Sequence, residues 1–214
     1  MADTTTNNDA SSLSMTPAET TKLSKLLAYV LRHGAAKEKL TMRSDGYLLL
    51  SDLLARPKFK NITQEQIEYV VRTNDKQRYA LAQLEDGQWY IRANQGHSLK
   101  VDNEQLLERL TTPLPVVVHG TTQENWEIIK REGLKKMQRH HVHCATGLPG
   151  DTGVISGMRK TSEVFIYIDM AKALEEGMTF YRSKNQVILT EGKDGIVSPA
   201  YFSRVTDRHG NSLL

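Results

Sequence analysis

Residues 78–93, RYALAQLEDGQWYIRA, read as two strands folded about a turn. Arg78 to Leu84 partly alternates apolar and polar side chains, Glu85-Asp86-Gly87 turns the chain, and Gln88 to Ala93 returns as the partner strand. Upstream lie three helical patterns. Thr21 to His33 carries Leu23, Leu26, Leu27, Val30 and Leu31 on one face, with Gly34 as a stop. A short apolar run, Tyr47 to Leu50, follows the Asp45-Gly46 turn, and Ser51 then caps a brief helix ending before Pro57. Thr63 and Gln66 form a capping box for a helix reaching about Arg72, whose apolar face is Ile67, Val70 and Val71. Three helices followed by a hairpin make a winged-helix-like unit, assigned to residues 20–110. That fold by itself licenses no function. The stretch from Thr63 to Arg72 holds Glu65, Glu68 and one arginine, which argues against a helix that reads duplex bases in the major groove.

Pro113 and Pro115 mark a change in character and place a domain boundary near residue 110. Beyond it, Val116-Val117-Val118 predicts a buried strand that delivers His119-Gly120-Thr121 at its C-terminal end. Thr122 caps a helix bearing Trp126, Ile128 and Ile129, closed by Gly133. Further strands are expected at Val164–Ile168 and Val187–Thr190, with a short helix or turn from Met170 to Glu176. No ordered βαβ series is present, so residues 111–205 read as a strand-dominated second unit and the whole chain as α+β. Residues 1–19, rich in Thr, Ser, Asn and Asp, read as a disordered lead-in, and residues 206–214 as a flexible tail.

The bulk numbers exclude little beyond broad classes. In 214 residues, 39% hydrophobic and 25% charged side chains suit a globular protein of one or two domains. A net charge of +3 is compatible with a polyanionic partner without requiring one. The single cysteine, Cys144, rules out an internal disulfide and favours an intracellular chain, in cytoplasm or nucleus. No apolar run is long enough to span a bilayer and no secretory signal is evident, so no membrane partner is expected.

The candidate chemistry is cationic. Arg32-His33 ends the first helical pattern, where a positive charge compensates the helix terminus or grips a phosphate through the rigid guanidinium fork. Arg78 opens the hairpin behind the polar cluster Asn74-Asp75-Lys76-Gln77 and can point toward the first helix. Arg92 in the return strand suits a ligand or a structural ion pair equally, and Asn94 to Ser98 offers a polar wall or a plain connection. His119 and Thr121 can bond ribose or amide groups while Gly120 permits close approach. His140, His141 and His143 lack the matching Cys or acidic set of a zinc site, so a metal-free polar pocket is expected. In a strand, His141 and His143 would share one face. Cys144 reads as a small buried residue rather than a nucleophile. Leu148 to Gly153 bends the chain and leads to Arg159, without the glycine spacing or lysine of a Walker loop.

Taken in order, LSKLLAYVLRHG from Leu23, NDKQRYAL from Asn74, IRANQGHS from Ile91, VVHGT from Val117, HVHCATGLPG from His141, ISGMRK from Ile155 and QVILT from Gln186 closely resemble the NAD-dependent tRNA 2′-phosphotransferase family, over roughly residues 22–204. The resemblance implies an N-terminal winged-helix lobe and a C-terminal ADP-ribosyltransferase-like lobe. It also implies removal of the internal 2′-phosphate left in spliced tRNA, with NAD consumed as co-substrate, no metal, 2′-phosphorylated tRNA or RNA as partner, and a monomeric enzyme. By the same match Arg32, His33 and Arg78 hold the RNA phosphate, and Arg159 serves the later transesterification. His119, Gly120, Thr121, His143 and Ser156 face NAD. Where related transferases place a catalytic glutamate, this chain presents Val187, which argues against ordinary protein ADP-ribosylation. Two other readings stand beside this one: ADP-ribosylation of nucleic-acid phosphate ends, and RNA binding without catalysis.

Overall fold

The computed structural model describes residues 15–155 and 157–214. Helix α1 spans Pro17–Tyr29 and begins four residues before the apolar stripe announces it. Its start is set by a capping box in which the Glu19 N–H donates to Thr16 Oγ1 at 3.2 Å and the Thr16 N–H to Glu19 Oε2 at 2.9 Å. The chain continues as one π-helical turn, Val30–Gly34, which carries Arg32 and His33. A widened turn of this kind re-aims side chains and recurs at functional sites.

Strand β1, Leu48–Leu49, runs directly into α2, Leu50–Leu54, and after a 3-10 turn at Pro57–Phe59 helix α3 spans Gln64–Thr73. The predicted capping box on α3 is present, with Gln66 N–H donating to Thr63 Oγ1 and Thr63 N–H to Gln66 Oε1. The hairpin forms from β2, Tyr79–Gln83, and β3, Trp89–Ala93, and β3 is the centre of an antiparallel sheet ordered β1-β3-β2. Leu27, Leu31, Leu53, Phe59, Ile67 and Ile91 are fully buried between the helices and this sheet.

The second core is built from antiparallel strands. After α4, Asn103–Leu106, come β4, Glu108–Leu110, and β5, Val118–Thr121, then α5, Gln123–Glu132, and β6, Leu134–Lys135. These are followed by β7, Val142–Cys144, β8, Val164–Ile168, α6, Met170–Glu175, β9, Phe180–Arg182, β10, Ile188–Thr190, β11, Ile196–Val197, and β12, Phe202–Asp207. The strands pair as β4-β9-β10-β7, β12-β8-β5 and β11-β6. A reciprocal bridge between Val118 and Ala145, at 2.8 and 2.9 Å, ties the first two sheets together beside β5 and β7. The chain is therefore α+β, with two large hydrophobic cores and two smaller buried clusters among the described residues.

Three expectations are corrected. His119, Gly120 and Thr121 lie inside β5, paired with Ile166, Phe165 and Val164, and do not form a loop beyond a strand at 116–118. The boundary near 110 falls too late, because β4 pairs with β9, and Leu106 and Leu107 pack on Val187 and Leu189 of the second unit. The prolines follow that strand rather than separating the cores. Residues 206–214 are not a loose tail. Asp207 closes a turn with Asn211, Leu213 N–H donates to Val205 C=O at 2.9 Å, and Leu213 packs on the second core. The expected lead-in falls on residues 1–14 outside the described residues, while Pro17 to Glu19 are already helical.

Candidate active site

A cleft of about 370 Å³ opens between the two cores. One wall carries Arg32, Lys76, Arg78 and Gln95, and the other carries β5, Arg139, His143 and the loop from Gly157 to Ser162. Arg32, Arg78, Arg159, His119, Gly120, Thr121 and His143, separated widely in sequence, thus meet around one space. His33 is not on its wall, and Ser156 lies outside the described residues.

The cations of the first wall are held by the backbone around them. Arg32 C=O accepts from Ser98 N–H at 3.0 Å and Leu99 N–H at 3.3 Å, which fixes the π turn against the segment after β3. Its Nε and Nη2 are buried without a hydrogen-bond partner. Burial lowers the Arg32 pKa, with neighbouring Arg139 and Arg78 adding to the effect and Tyr79 opposing it. Arg78 N–H and Nη1 both donate to Asn74 Oδ1, at 2.9 and 3.3 Å. Left-handed backbone at Gln77, φ 44°, turns the chain into β2, and Asn94 Nδ2 grips the Gln77 carbonyl at 2.6 Å. Lys76 stitches the cores together: its ammonium donates to Met158 C=O at 3.2 Å, and its own C=O accepts from the fully buried Asn185 at 2.9 Å. Arg92 turns out to be structural, stacked 4.5 Å over Tyr47 and donating to Asp45 C=O.

The opposite wall depends on two glycines. A Cβ on Gly120 would sit 2.6 Å from Ser162 Oγ and 3.0 Å from Met158 Sδ, so a bare strand lets the Arg159 loop close over β5. Gly157 adopts φ +121°, and a Cβ there would meet Ala145 at 2.7 Å. Arg159 itself is exposed. Its loop is clasped from the C-terminal turn by Arg208, whose Nε donates to Ser162 C=O at 2.7 Å and Nη2 to Lys160 C=O at 3.4 Å.

The two cleft histidines, His119 and His143, are neutral. Burial above all pushes His143 down to about 3, so the neutral ring brings one N–H donor and one acceptor nitrogen to its two contacts. Nδ1–H donates to His141 C=O at 3.0 Å. Nε2 lies 2.8 Å from Gln95 Oε1; with Nδ1–H committed, a neutral ring can only accept there, which requires the Gln95 amide to be flipped so that its NH2 faces the ring. His119 Nδ1–H donates to His143 C=O at 2.8 Å, and burial lowers its pKa, which leaves Nε2 as an acceptor toward the cleft. His33 Nδ1 contacts Ser98 Oγ at 2.8 Å; burial and then the Arg32 and Arg139 charges lower its pKa. His141 does not share the cleft with His143, being buried against Tyr181. The Cys144 thiol, pushed up to about 12 by burial, is no nucleophile.

Five cations therefore line the cleft with no carboxylate among its described lining residues. Arg139 belongs to this set and was missed in the sequence, where it reads only as the residue before the histidine run. An unpaired, buried charge destabilises a fold until a ligand satisfies it, by about 1–3 kcal/mol for an unmet hydrogen-bonding group. Arg32→Met, which keeps the stem and removes the charge, is expected to raise the melting temperature by several degrees while abolishing phosphate-dependent turnover. Calorimetry of the ligand-free protein checks this, and a lower melting temperature would count against the unmet charge.

A sequence profile described as the RNA 2′-phosphotransferase, Tpt1 / KptA family matches residues 18–192, which include every residue named on the cleft wall. The chain belongs to that family. Among curated relatives, tRNA 2′-phosphotransferase 1 of Danio rerio is 45% identical over 188 residues, 86% of this chain and 84% of the relative. tRNA 2′-phosphotransferase 1 of Homo sapiens is 49% identical over 187 residues, 85% of this chain and 73% of the relative. A Schizosaccharomyces pombe relative is 47% identical over 199 residues, but the chain spans about half of its length, 52%. Within this RNA 2′-phosphotransferase family member, Arg208 lies beyond the matched residues although it holds the loop of a matched one.

Proposed function

We propose that this chain removes the internal 2′-phosphate of spliced tRNA, with NAD as the consumed co-substrate. In this reading the first core is a winged-helix lobe that presents the RNA phosphate, and the second is an ADP-ribosyltransferase-like lobe that holds NAD. The observation that carries it is the cleft wall of Arg32, Lys76, Arg78, Arg139 and Arg159, uncompensated by acid and set against a neutral, hydrogen-bond-accepting strand. Such a wall suits two polyphosphate ligands meeting face to face.

Arg32 and Arg78 hold the RNA phosphate. The ribose lies against β5, where His119 Nε2 and Thr121 Oγ1 can bond its hydroxyls, while Gly120 lets the Ser162 loop close on the same strand. A phosphate oxygen attacks the ribose carbon bearing nicotinamide, and the carbon–nitrogen bond breaks with its electron pair leaving on nicotinamide. The ribose 2″-hydroxyl then attacks phosphorus. Its proton passes to the departing RNA 2′-oxygen. RNA regains its 2′-hydroxyl, and ADP-ribose 1″,2″-cyclic phosphate leaves. Arg159 supplies a fork to the phosphorus-centred transition state, where charge accumulates on the outer oxygens.

The test is incubation with NAD and an RNA bearing one internal 2′-phosphate, with mass analysis of both products. Recovery of 2′-hydroxyl RNA and the cyclic phosphate supports the reading. RNA that binds but stays phosphorylated, with no nicotinamide released, would leave a binding protein instead.

A further inference from the structure

Arg78 lines a second space besides the cleft. On its other side lies a cavity of about 350 Å³ between α1 and the chain leaving α3, with Thr21, Ser24, Lys25 and Asn74 on its walls. From Thr20 to Gly34 the helix and its π turn contain Lys22, Lys25 and Arg32 and no Asp or Glu. Neither Lys22 nor Lys25 joins an ion pair among the described residues, and both are exposed.

The donors there are arranged by bonds already described. Asn74 Oδ1 is committed to Arg78, so its side-chain NH2 is left to donate outward. The Ser24 hydroxyl is taken by Tyr79, at 3.0 Å, which leaves the Thr21 hydroxyl and the Lys25 ammonium on the helix side. The one acid on the rim, Asp75, is 3.8 Å from Arg78 and 72% exposed, so solvent screens it.

An internal 2′-phosphate sits on a ribose with a backbone phosphate on either side, so a polymeric substrate cannot end in the catalytic cleft. We propose that this second cavity binds the RNA strand flanking the phosphorylated nucleotide, with a backbone phosphate between Lys25, Thr21 and the Asn74 amide and Arg78 as the shared wall. The inference rests on the RNA reading of the cleft and names the path by which the strand leaves it.

The test uses 2′-phosphorylated RNAs with one nucleotide on each side of the modified residue, or extended by several nucleotides on the 5′ side or the 3′ side alone. Wild type should show a lower KM for one extended series than for the short RNA. Lys25→Glu should erase most of that gain, raising the KM of the favoured extended RNA about tenfold and reducing the salt slope of its binding by about 0.7. Lys37→Glu, the same charge change at an exposed residue off the cavity, should keep the gain. The side whose extension responds gives the strand's polarity. A KM independent of length in wild type, or equal losses in the two variants, overturns the proposal. Equilibrium binding of the same RNAs is measured in parallel. If no RNA is turned over, the proposed reaction fails, yet a length-dependent affinity lost in Lys25→Glu still supports the cavity and its absence still overturns it.

Discussion

An Arg159→Ala enzyme is expected to release nicotinamide and then stall, with ADP-ribose attached to the RNA 2′-phosphate. Arg159 is exposed on a loop, holds up no other side chain of the phosphate grip, and can be removed without disturbing Arg32 or Arg78. Its absence should therefore spare binding and the first displacement. The second displacement gathers negative charge on phosphorus-bound oxygens, and one well-aimed donor there is worth about 3 kcal/mol, or roughly a hundredfold in rate. Rapid-quench single turnovers, with the RNA species resolved by mass, would show the adduct rise and persist. An unchanged rate of cyclic-phosphate formation would remove Arg159 from the step. Arg208→Ala should shift the same ratio in the same direction more weakly, since it leaves Arg159 in place and frees only the Lys160 and Ser162 carbonyls that aim its loop.

Acidification should unfold the protein well before its carboxylates are exhausted. Burial pushes His97 and His143 down to about 3 and His141 to about 4. Unfolded histidine titrates near 6.5. Above that pH neither state binds these protons. Below it, the unfolded chain takes up three protons that the folded rings refuse, so stability falls as the pH drops and levels off only once the folded rings themselves protonate. Each ring contributes a slope of about 1.4 kcal/mol per pH unit, and the three together cost several kcal/mol by pH 5. That loss reaches about 10 kcal/mol by pH 4, comparable with the 5–15 kcal/mol of a typical domain, which places the acid transition at about pH 4–5. Denaturant titrations at pH 7.5, 6 and 5 check it, and an unfolding free energy unchanged at pH 5 would show that the rings protonate in place.

The sequence made some of these features plain and concealed others for physical reasons. The α3 capping box, the hairpin, the Thr122 cap on α5 and the burial of Cys144 were legible because each depends on neighbours within a few residues. The convergence of Arg32, Arg78 and Arg159 was legible only as a resemblance, since nothing in their spacing encodes a contact between separate cores. Arg139 and Arg208 were not legible at all. One is a cation whose significance lies in the like charges it faces, and the other acts on carbonyls 46 and 48 residues away. The start of α1 is encoded by the Thr16 and Glu19 capping box, which lies one turn ahead of the apolar stripe.

Strand β4 has a consequence for recombining this chain with its relatives. A chimera joined at residue 110 would take Glu108–Leu110 from one parent and the β9 edge it pairs with from the other, and would split Leu106 and Leu107 from Val187 and Leu189. A junction between Leu99 and Val101 leaves Leu99 with the first core and Val101 with the Leu106, Leu107, Val187 and Leu189 cluster, so each parent contributes a whole set of packed side chains. What such a hybrid would still inherit from both parents is the cleft itself, because Lys76 reaches Met158 and Gln95 reaches His143 across the join.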